Sequence, residues 1–439
     1  MSPQPPSPLG PVTIERLGFG GDGVGRLPDG RVAFVRGALP GDVVQIQVRK
    51  NKKRFVQGQI HAFVQRSASR VEPLCPLADG RCGGCQLWGA SAQDAWLWKR
   101  QAAVEALERA GRLRLEVPVE AVQAPSDQGY RRRLRLKINE RGQMGFYAAG
   151  SHRLTQIPDC LVAHPTLLGA RDALQGALGG LGGGSLLLEL DADGQRAVGL
   201  LQMRHHDKAA RRLKGRLKLG GALGGVRLKP QNNKRGSVVD MGDVHFTLRA
   251  DGMDRRLTVG AFTQANDAIN EALIERTLAA LDLKEGQRVL ELYCGAGNFS
   301  FSVARAGAEV RGYELDAGAI DAARQGADTH FEPPQRSRLS FDVRDLSVGL
   351  PAKDTQPGRY ERVLLDPPRT GAKEVVADLL KLAAKRIVYV SCDPPTLGRD
   401  LGLLLEGGAY RLESLTAFDM FPRTYHVEML AVLVAGEPS

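Results

Sequence analysis

The sequence predicts an α/β fold in its C-terminal part, preceded by a small OB-like β-barrel and a mixed, β-rich central domain. From about residue 266 onward, helical segments alternate with short apolar strands, which is typical of a parallel sheet covered on both faces. Over residues 10–65, short β-prone runs are separated by glycine and proline, which is typical of a small barrel. A chain of 439 residues is too long for one ordinary core. We therefore expect three domains, covering residues 1–66, 67–262 and 263–439.

The composition favours a cytoplasmic protein that binds a polyanion. Sixty Lys and Arg against 49 Asp and Glu leave a net charge of +11, which favours nucleic acid as a partner, although many soluble proteins are equally basic. Residues 1–11 contain no apolar run behind a basic start, so we expect no secretory signal, and no stretch is long enough to span a membrane. In a reducing compartment the six cysteines are expected to be thiols, metal ligands or catalysts.

The elements follow in the order of the three predicted domains. In the barrel, a basic hairpin at residues 50–54 is either an RNA contact or a solvated turn. In the central domain, we expect a helix over 90–111 that ends at a glycine, then strands and glycine-rich turns, with 179–185 as a surface connection. The strands expected in the C-terminal domain are 288–293, 309–314, 338–341, 362–365 and 386–391.

A glycine turn after the first C-terminal strand predicts a cofactor pocket. Residues 289–298 run from an apolar strand into a Gly-x-Gly turn, but Ser300 replaces the third glycine that a dinucleotide site would have. The loop instead resembles the first motif of class I methyltransferases. Glu314, at the end of the next strand, can accept both hydroxyls of a ribose. Asp345 follows the third strand and either accepts the adenine amino group or caps a helix.

Two further strands end in reactive side chains, a carboxylate and a thiol, at the same edge of the sheet. Asp366 lies in Leu-Leu-Asp-Pro-Pro-Arg, and its carboxylate can bind the uracil edge or orient the cofactor. Cys392 lies in Ser-Cys-Asp-Pro-Pro, directly before a helix that starts with proline, and we expect the helix N-terminus to favour its thiolate. The alternative for a cysteine at such a position is a buried, inert thiol.

A thiolate and a carboxylate together fit one reaction, the methylation of uracil at carbon 5. That carbon is not nucleophilic in the resting base, so a thiolate must first add to carbon 6, and a base must later remove the carbon 5 proton. Glu428, which starts an apolar strand-like run near the C-terminus, is the candidate base. The sequence thus predicts Cys392 as nucleophile and Glu428 as base.

A cysteine-rich loop in the central domain predicts a metal centre. Three cysteines are spaced C-x6-C-x2-C, and a fourth lies further along the chain: Cys75, Cys82, Cys85 and Cys160. Four thiolates can hold zinc or an iron-sulfur cluster, and the spacing does not choose between them. Unligated thiols are the remaining alternative.

A basic strand face predicts contact with RNA phosphates. Strand periodicity places Arg133, Arg135 and Lys137 on one face and apolar residues on the other. A second basic cluster at 208–218 either extends this row or is a solvated exterior. A stacked uracil cannot present its carbon 6 to a thiolate, so we expect the target base to be turned out of its stack.

Taken together, these motifs resemble the bacterial 23S ribosomal RNA (uracil-5-)-methyltransferases that carry an N-terminal TRAM domain. The likeness covers nearly the whole chain. Its specific parts are Gly58-Gln-Ile, the cysteine loop, Phe262-Thr-Gln-Ala-Asn266, the glycine loop, Leu365-Asp-Pro-Pro-Arg, Ser391-Cys-Asp-Pro-Pro-Thr-Leu and His426-Val-Glu. The cysteine loop is one residue longer here than is usual, and Asp393 stands where relatives often have Asn.

The resemblance implies a class I, Rossmann-like domain dependent on S-adenosylmethionine, acting on 23S ribosomal RNA as a monomer. It makes Cys392 the nucleophile and Glu428 the base, and it points to a [4Fe-4S] cluster on the four cysteines. The positions that it implies for cofactor contact are Gln264, Tyr293, Asn298, Glu314, Asp345 and Asp366.

Three alternatives are weighed against this interpretation. A transfer-RNA uracil methyltransferase would share the chemistry, but those relatives generally lack the barrel and the cysteine cluster. A non-catalytic RNA-binding or ribosome-assembly factor could retain the fold and the pocket. An amino-group methyltransferase typically has an aromatic residue after the two prolines, where this chain has Arg369.

Overall fold

The computed structural model describes residues 8–231 and 237–436. Most of segment 1–11, where we expect no secretory signal, lies outside the described residues. Within the described parts of the chain, no helix is both long and apolar enough to cross a membrane.

The N-terminal segment is a closed barrel with the strand order β1-β2-β3-β5-β4. Its strands are β1 Leu9–Leu17, β2 Gly23–Arg26, β3 Val32–Arg36, β4 Val43–Asn51 and β5 Phe55–Gln65. Alternate residues such as Val12, Val44 and Ile46 point inward and are fully buried, as strand periodicity requires. Antiparallel pairing of β1 with β4 closes the barrel. The basic hairpin at 50–54 lies exposed at the turn between β4 and β5, which agrees with its predicted position.

The central segment begins with a helix and a short strand and continues into a mixed sheet. The elements are α1 Ala92–Gly111, β6 Val119–Val122, β7 Arg133–Ile138, β8 Met144–Tyr147, β9 Leu154–Gln156, α2 Pro165–Gln175, β10 Gly184–Leu190, β11 Ala197–Met203, α3 His206–Arg216, β12 Leu223–Pro230, β13 Val239–Gly242, β14 His245–Ala250 and β15 Met253–Thr258. The sheet order is β13-β12-β11-β10-β7-β8-β9, and β14 and β15 form a separate hairpin. Helix α1 ends at Gly111 as predicted, although the left-handed residue that follows is Arg112.

The two faces of β7 differ as the sequence predicts. Leu134 and Leu136 are buried in the core that also contains Ala209 and Leu213 of α3. Helix α3 packs on β11 and β12 over this same core, so its cations lie on the side of the sheet opposite to Arg135. Cluster 208–218 consequently does not extend the basic row.

The glycine-rich segment 179–185 is less exposed than expected. Leu181 is fully buried, and Gly184 and Ser185 already belong to β10, paired with β7 and β11. The interpretation as a flexible surface connection is wrong for these positions, because the short connection must pack under the sheet it joins.

The C-terminal segment is an α/β unit, as predicted. Its elements are α4 Asp267–Leu281, β16 Arg288–Leu292, α5 Ser300–Arg305, β17 Glu309–Glu314, α6 Ala317–His330, β18 Leu339–Val343, β19 Arg362–Leu365, α7 Lys373–Leu382, β20 Arg386–Ser391, α8 Pro394–Leu405, β21 Tyr410–Phe418 and β22 Glu428–Ala435. The sheet order is β18-β17-β16-β19-β20-β22-β21-β6, with β22 antiparallel to both neighbours. The five predicted strands correspond to β16 through β20 with differences of one or two residues.

Two elements from segment 67–262 pack on this C-terminal sheet. Strand β6 pairs in parallel with β21 at the sheet edge, and α1 packs against α8, where Gly398 leaves room for the backbone of Leu107. The chain therefore leaves the C-terminal layer after β6 and returns to it at α4. The predicted boundaries between the three domains stay a prediction.

Candidate active site

The predicted site residues meet at one edge of the C-terminal sheet. Parallel strands β16, β17, β19 and β20 end there, and antiparallel β22 begins there, because Met429 pairs with Ser391. In open α/β sheets, ligands bind beyond the carboxyl ends of the strands where the strand order reverses. Here β16 has β17 on one side and β19 on the other, so the reversal occurs at β16. Five predicted site residues lie at this edge. Tyr293, Asp366 and Cys392 directly follow β16, β19 and β20, Glu314 is the last residue of β17, and Glu428 is the first residue of β22.

Cys392 and Glu428 are neighbours through the pairing of β20 with β22. Glu428 is only 2% exposed, whereas Cys392 is half-buried. Burial raises the pKa of the Cys392 thiol to about 12, and the nearby carboxyl groups of Glu428 and Asp366 contribute in the same direction. The guanidinium of Arg369 opposes them. Nucleophile and base thus lie side by side, and the thiol keeps its proton at neutral pH.

The expected effect of the helix N-terminus on Cys392 is wrong for this structure. Helix α8 starts with Pro394 and Pro395, which have no backbone N–H to point at a sulfur. The side chain of Asp393 accepts the hydrogen bond from the Thr396 backbone at 3.1 Å instead. Asp393, whose role the sequence left in doubt, is therefore the N-cap of α8.

Asp366 and Glu428 are two acids whose pKa values this sheet edge raises. Burial raises the pKa of Asp366 to about 7, and the charge of Glu314 raises it further. Burial and the charge of Asp366 raise the pKa of Glu428 well above its usual value, while Arg369 lowers it. Like charges at close range disfavour the doubly ionised state. Burial and the neighbouring charge thus both favour the protonated form of Glu428.

Gln264 reaches this edge from the loop between β15 and α4. Its Nε2 donates to Asp366 Oδ2 at 3.3 Å. The segment that carries it is fastened to the central sheet, since Arg133 donates to the Thr263 carbonyl at 3.0 Å and Thr263 Oγ1 donates to Glu189 at 3.1 Å. Central and C-terminal sheets therefore share the site.

The glycine loop has the open backbone expected of a cofactor cradle. Tyr293, Gly295 and Gly297 all have positive φ, and a Cβ at Gly297 would lie 3.0 Å from the ring of Phe301. The Glu314 carboxylate accepts the Gly295 N–H at 3.2 Å and also the N–H groups of Leu315 and Asp316. Its carboxylate is thereby oriented toward the loop, where a ribose would lie.

The remaining two predicted contacts have partners within the protein. Asn298 exchanges two side-chain hydrogen bonds with Asn270 of α4, at 2.9 and 3.1 Å. Asp345 is exposed and caps a short 3-10 turn by accepting the Ser347 N–H at 2.9 Å. The capping alternative for Asp345 is thus observed. Its charge nevertheless acts on Tyr293, whose pKa burial raises to about 12.

Sequence reasoning missed three residues at this site. Glu291 is buried in β16 and accepts a 2.6 Å hydrogen bond from Ser300, the residue that replaces the third glycine; burial raises the pKa of Glu291 to about 8. Asn270 holds Asn298. Phe262 is 68% exposed, and the Arg133 guanidinium lies 5.6 Å from its ring centroid. A charged residue inside an apolar strand was the available signal for Glu291.

The loop that precedes Glu428 is fastened to distant parts of the chain. Lys99 of α1 forms a buried ion pair with Asp419 at 2.5 Å and donates to the His426 carbonyl at 3.1 Å. The Arg423 carbonyl accepts the N–H groups of Gln86 and Leu87, both at 3.1 Å. The segment just after Cys85 therefore supports the loop that carries the candidate base.

The four predicted ligand cysteines lie near one another. Among the described residues, no group of three or more Cys, His, Asp or Glu side chains is arranged to hold a metal ion. The thiols still interact, since the charges of Cys75 and Cys160 contribute to the raised pKa of Cys82, whose largest cause is burial. The guanidinium of Arg131 acts in the opposite direction on Cys82, Cys85 and Cys160. A shared cation facing several thiols suits a set of thiolate ligands.

Comparison with known proteins agrees with this geometry. The family model described as tRNA (Uracil-5-)-methyltransferase matches residues 202–435, and the TRAM domain model matches residues 11–61. The 23S rRNA (uracil(1939)-C(5))-methyltransferase RlmD of Thiobacillus denitrificans is 33% identical over 432 residues, which cover 96% of this chain and 98% of that protein. The enzyme of the same name from Shewanella sediminis is 35% identical, covering 92% and 91%.

A solved structure shows the same fold over nearly the whole length. It is the Pyrococcus abyssi tRNA (uracil-54, C5)-methyltransferase in complex with S-adenosyl-L-homocysteine, at a TM-score of 0.70 and 23% identity, covering 96% of this chain and 99% of that one. The expected fold, an α/β methyltransferase domain behind a small barrel, is confirmed. By family model and by full-length relatives, the chain belongs to the S-adenosylmethionine-dependent RNA uracil-5-methyltransferases.

Proposed function

We propose that the protein methylates carbon 5 of a uridine in 23S ribosomal RNA through a covalent bond to Cys392. The observation that supports this most directly is the juxtaposition of Cys392 and buried Glu428 on paired strands. The substrate follows from relatives that share a third of the sequence over almost the whole chain and are named for 23S rRNA. An amino-group methyltransferase would need no such pair.

The proposed reaction proceeds in three steps. Cys392 loses its proton to solvent, and its sulfur bonds to uracil carbon 6, moving the ring electrons into an enolate. S-adenosylmethionine supplies the methyl group as a sulfonium, so that carbon 5 gains a carbon bond and S-adenosylhomocysteine is released. Glu428, after releasing its own proton to solvent, takes the carbon 5 proton, the double bond reforms, and the carbon–sulfur bond breaks to return the Cys392 thiolate.

We propose as cofactor contacts the positions that the family resemblance implies. Glu314 would accept the ribose hydroxyls, and Asp345 would accept the adenine amino group while it caps its turn. Asp366, oriented by Gln264, would lie between the cofactor and the base. The remaining members of the proposed set are Tyr293 and Asn298, the latter held by Asn270.

We also propose that the four cysteines hold a [4Fe-4S] cluster. The support is the chemistry of the donor set, since four thiols are the ligands such a cluster takes and Arg131 would offset part of their negative charge; the described residues show no group already arranged to hold a metal ion. Methyl transfer needs no redox step, so the role assigned to the cluster is structural, supporting the loop before Glu428 through Gln86 and Leu87.

Protein purified without oxygen is expected to be brown and to contain about four iron and four sulfide per chain. Elemental analysis, sulfide assay and the visible absorption spectrum measure this directly. Replacement of Cys160 with serine should lower both contents, since it removes the most distant ligand. Zinc alone in the wild-type protein would contradict the assignment.

The substrate is tested by mapping 5-methyluridine in RNA from cells with and without the gene. We expect one 23S rRNA position to lose the methyl group in the mutant, and purified enzyme to restore it on RNA from the mutant cells. Transfer RNA from the same cells serves as the control. A methyl group lost from transfer RNA alone would instead support the transfer-RNA alternative.

We further propose that the enzyme acts as a monomer in the cytoplasm, where ribosomal RNA is made in bacteria.

A further inference from the structure

A second aromatic and cationic surface lies away from the catalytic pocket, at the outer end of β7 and β8. Tyr147, the last residue of β8, is 38% exposed. Lys137 of β7 places its ammonium 5.7 Å from the centroid of the Tyr147 ring. The ring of His152, in the turn after β8, lies edge-on at 5.3 Å. The mechanism above uses none of these three side chains, which we call the Tyr147 platform.

Two other parts of the protein, the cysteine loop and the barrel, hold the backbone at this platform. The Tyr147 carbonyl accepts the Gly83 N–H at 2.9 Å, which ties it to the cysteine loop. A Cβ at position 83 would itself lie 2.9 Å from that carbonyl, so only glycine permits the approach. From the barrel, Arg36 donates to the Ala149 carbonyl at 2.9 Å. The backbone that carries the exposed ring is therefore held by hydrogen bonds from outside its own strand.

The Tyr147 platform borders a large cleft between the barrel and the cysteine loop. The cleft has a volume of about 1150 Å³ and is lined on the barrel side by residues that include Arg36, Arg49 and Gln59. Residues 147–152 form part of its opposite wall. The lining also contains Cys75, Cys82 and Cys85, and it carries Asp22, Glu72 and Asp79 beside its arginines, so the cations that could contact an anionic strand are those near the Tyr147 rim and on the barrel wall.

A cationic row connects the platform to the catalytic pocket. Arg133, Arg135 and Lys137 share one face of β7; Arg133 is ion-paired with buried Glu189 at 3.0 Å and lies against the exposed ring of Phe262, two residues before Gln264. Four residues along a strand span roughly 13 Å. An exposed aromatic ring with its own cation thus stands at each end of the row.

We propose that Tyr147 is a stacking platform for an unpaired base of the RNA strand that flanks the target uridine, with Lys137 binding the adjacent phosphate. This inference rests on the proposed function and extends it to the form of the substrate, a single strand that runs from the catalytic pocket into the cleft. Stacking on an aromatic ring needs an exposed base face, which a continuous duplex does not offer. The cysteine loop, through Gly83, holds this RNA contact in position.

The matched pair Tyr147→Ala and Tyr147→Phe tests the inference in the full-length enzyme. The substrate is 23S rRNA from cells that lack the gene, with labelled S-adenosylmethionine. Loss of one stacked base is expected to raise KM for RNA roughly 5- to 150-fold in Tyr147→Ala, with kcat unchanged. Tyr147→Phe keeps the ring and should retain the wild-type KM. Equal KM values for the alanine variant and the wild type would overturn the proposal, as would a loss confined to kcat.

A direct reading of stacking comes from Tyr147→Trp. Titration with an unstructured oligouridylate should quench the added fluorescence, measured against the wild type to subtract its three tryptophans. An RNA duplex of equal length should not quench this fluorescence. Equal quenching by the oligouridylate and the duplex would overturn the inference. This binding measurement is independent of turnover. If the wild type fails to methylate 23S rRNA, the proposed function fails, while quenching by the oligouridylate still decides the stacking.

Discussion

Replacement of Cys392 with alanine is expected to abolish methyl transfer to RNA, with a loss of more than about 10⁴-fold. The loss is this large because uracil carbon 5 becomes nucleophilic only after sulfur has bonded to carbon 6. The other thiol at this sheet edge, Cys294, is only 3% exposed, and Cys392 is the one that follows β20, the strand paired with β22. Transfer of labelled methyl from S-adenosylmethionine to 23S rRNA measures the effect.

Trapping with 5-fluorouridine RNA provides the matching structural readout. Fluorine cannot leave carbon 5 as a proton does, so the wild type should stay bonded to the RNA through the peptide that contains residue 392. The alanine variant should form no such bond, yet should bind S-adenosylhomocysteine with unchanged affinity, which excludes misfolding. Undiminished methylation by Cys392→Ala would rule out the covalent mechanism. A folded, RNA-binding wild type with no turnover would favour the assembly-factor alternative.

Replacement of Glu428 with glutamine is expected to slow turnover by about 10²- to 10⁴-fold and to leave methylated RNA bonded to the protein. Glutamine preserves the size and a hydrogen-bonding group at a position that is only 2% exposed, so the packing at the start of β22 should persist. The carboxylate that removes the carbon 5 proton is lost. Sulfur addition and methyl transfer can still occur, but the final elimination cannot.

A denaturing gel measures the outcome for Glu428→Gln. Labelled methyl should migrate with the protein in this variant and with free RNA in the wild type. Glu428→Asp keeps a carboxylate on a shorter side chain and is expected to recover part of the turnover. Wild-type turnover by Glu428→Gln, or a slow variant that accumulates no bonded RNA, would assign the base to another group. Asp366 would then be the nearest candidate, since its charge acts on Glu428.

Much of the architecture was predictable because it rests on local pattern. The alternation of apolar strands and helices located β16 through β20, and strand periodicity separated the two faces of β7. Motif residues at strand ends placed Asp366 and Cys392 at one edge, since parallel strands end together. Glu428 was predicted from the need for a base, and its place beside Cys392 depends on the antiparallel pairing of β22. The membership of α1 and β6 in the C-terminal layer could not be predicted, because it depends on pairing with β21 and packing on α8, roughly 300 residues later.

The sequence by itself determined which chemical groups are present and at which strand ends they stand. The tertiary structure alone decided their protonation, because burial and charges contributed by distant segments set a pKa. Cys392 is the clearest instance: the helix pattern suggested a thiolate, whereas burial and the carboxyl groups of Glu428 and Asp366 keep the proton on sulfur. The tertiary structure also decided the surroundings of Tyr147, because the barrel and the cysteine loop both bind the backbone beside this exposed strand residue.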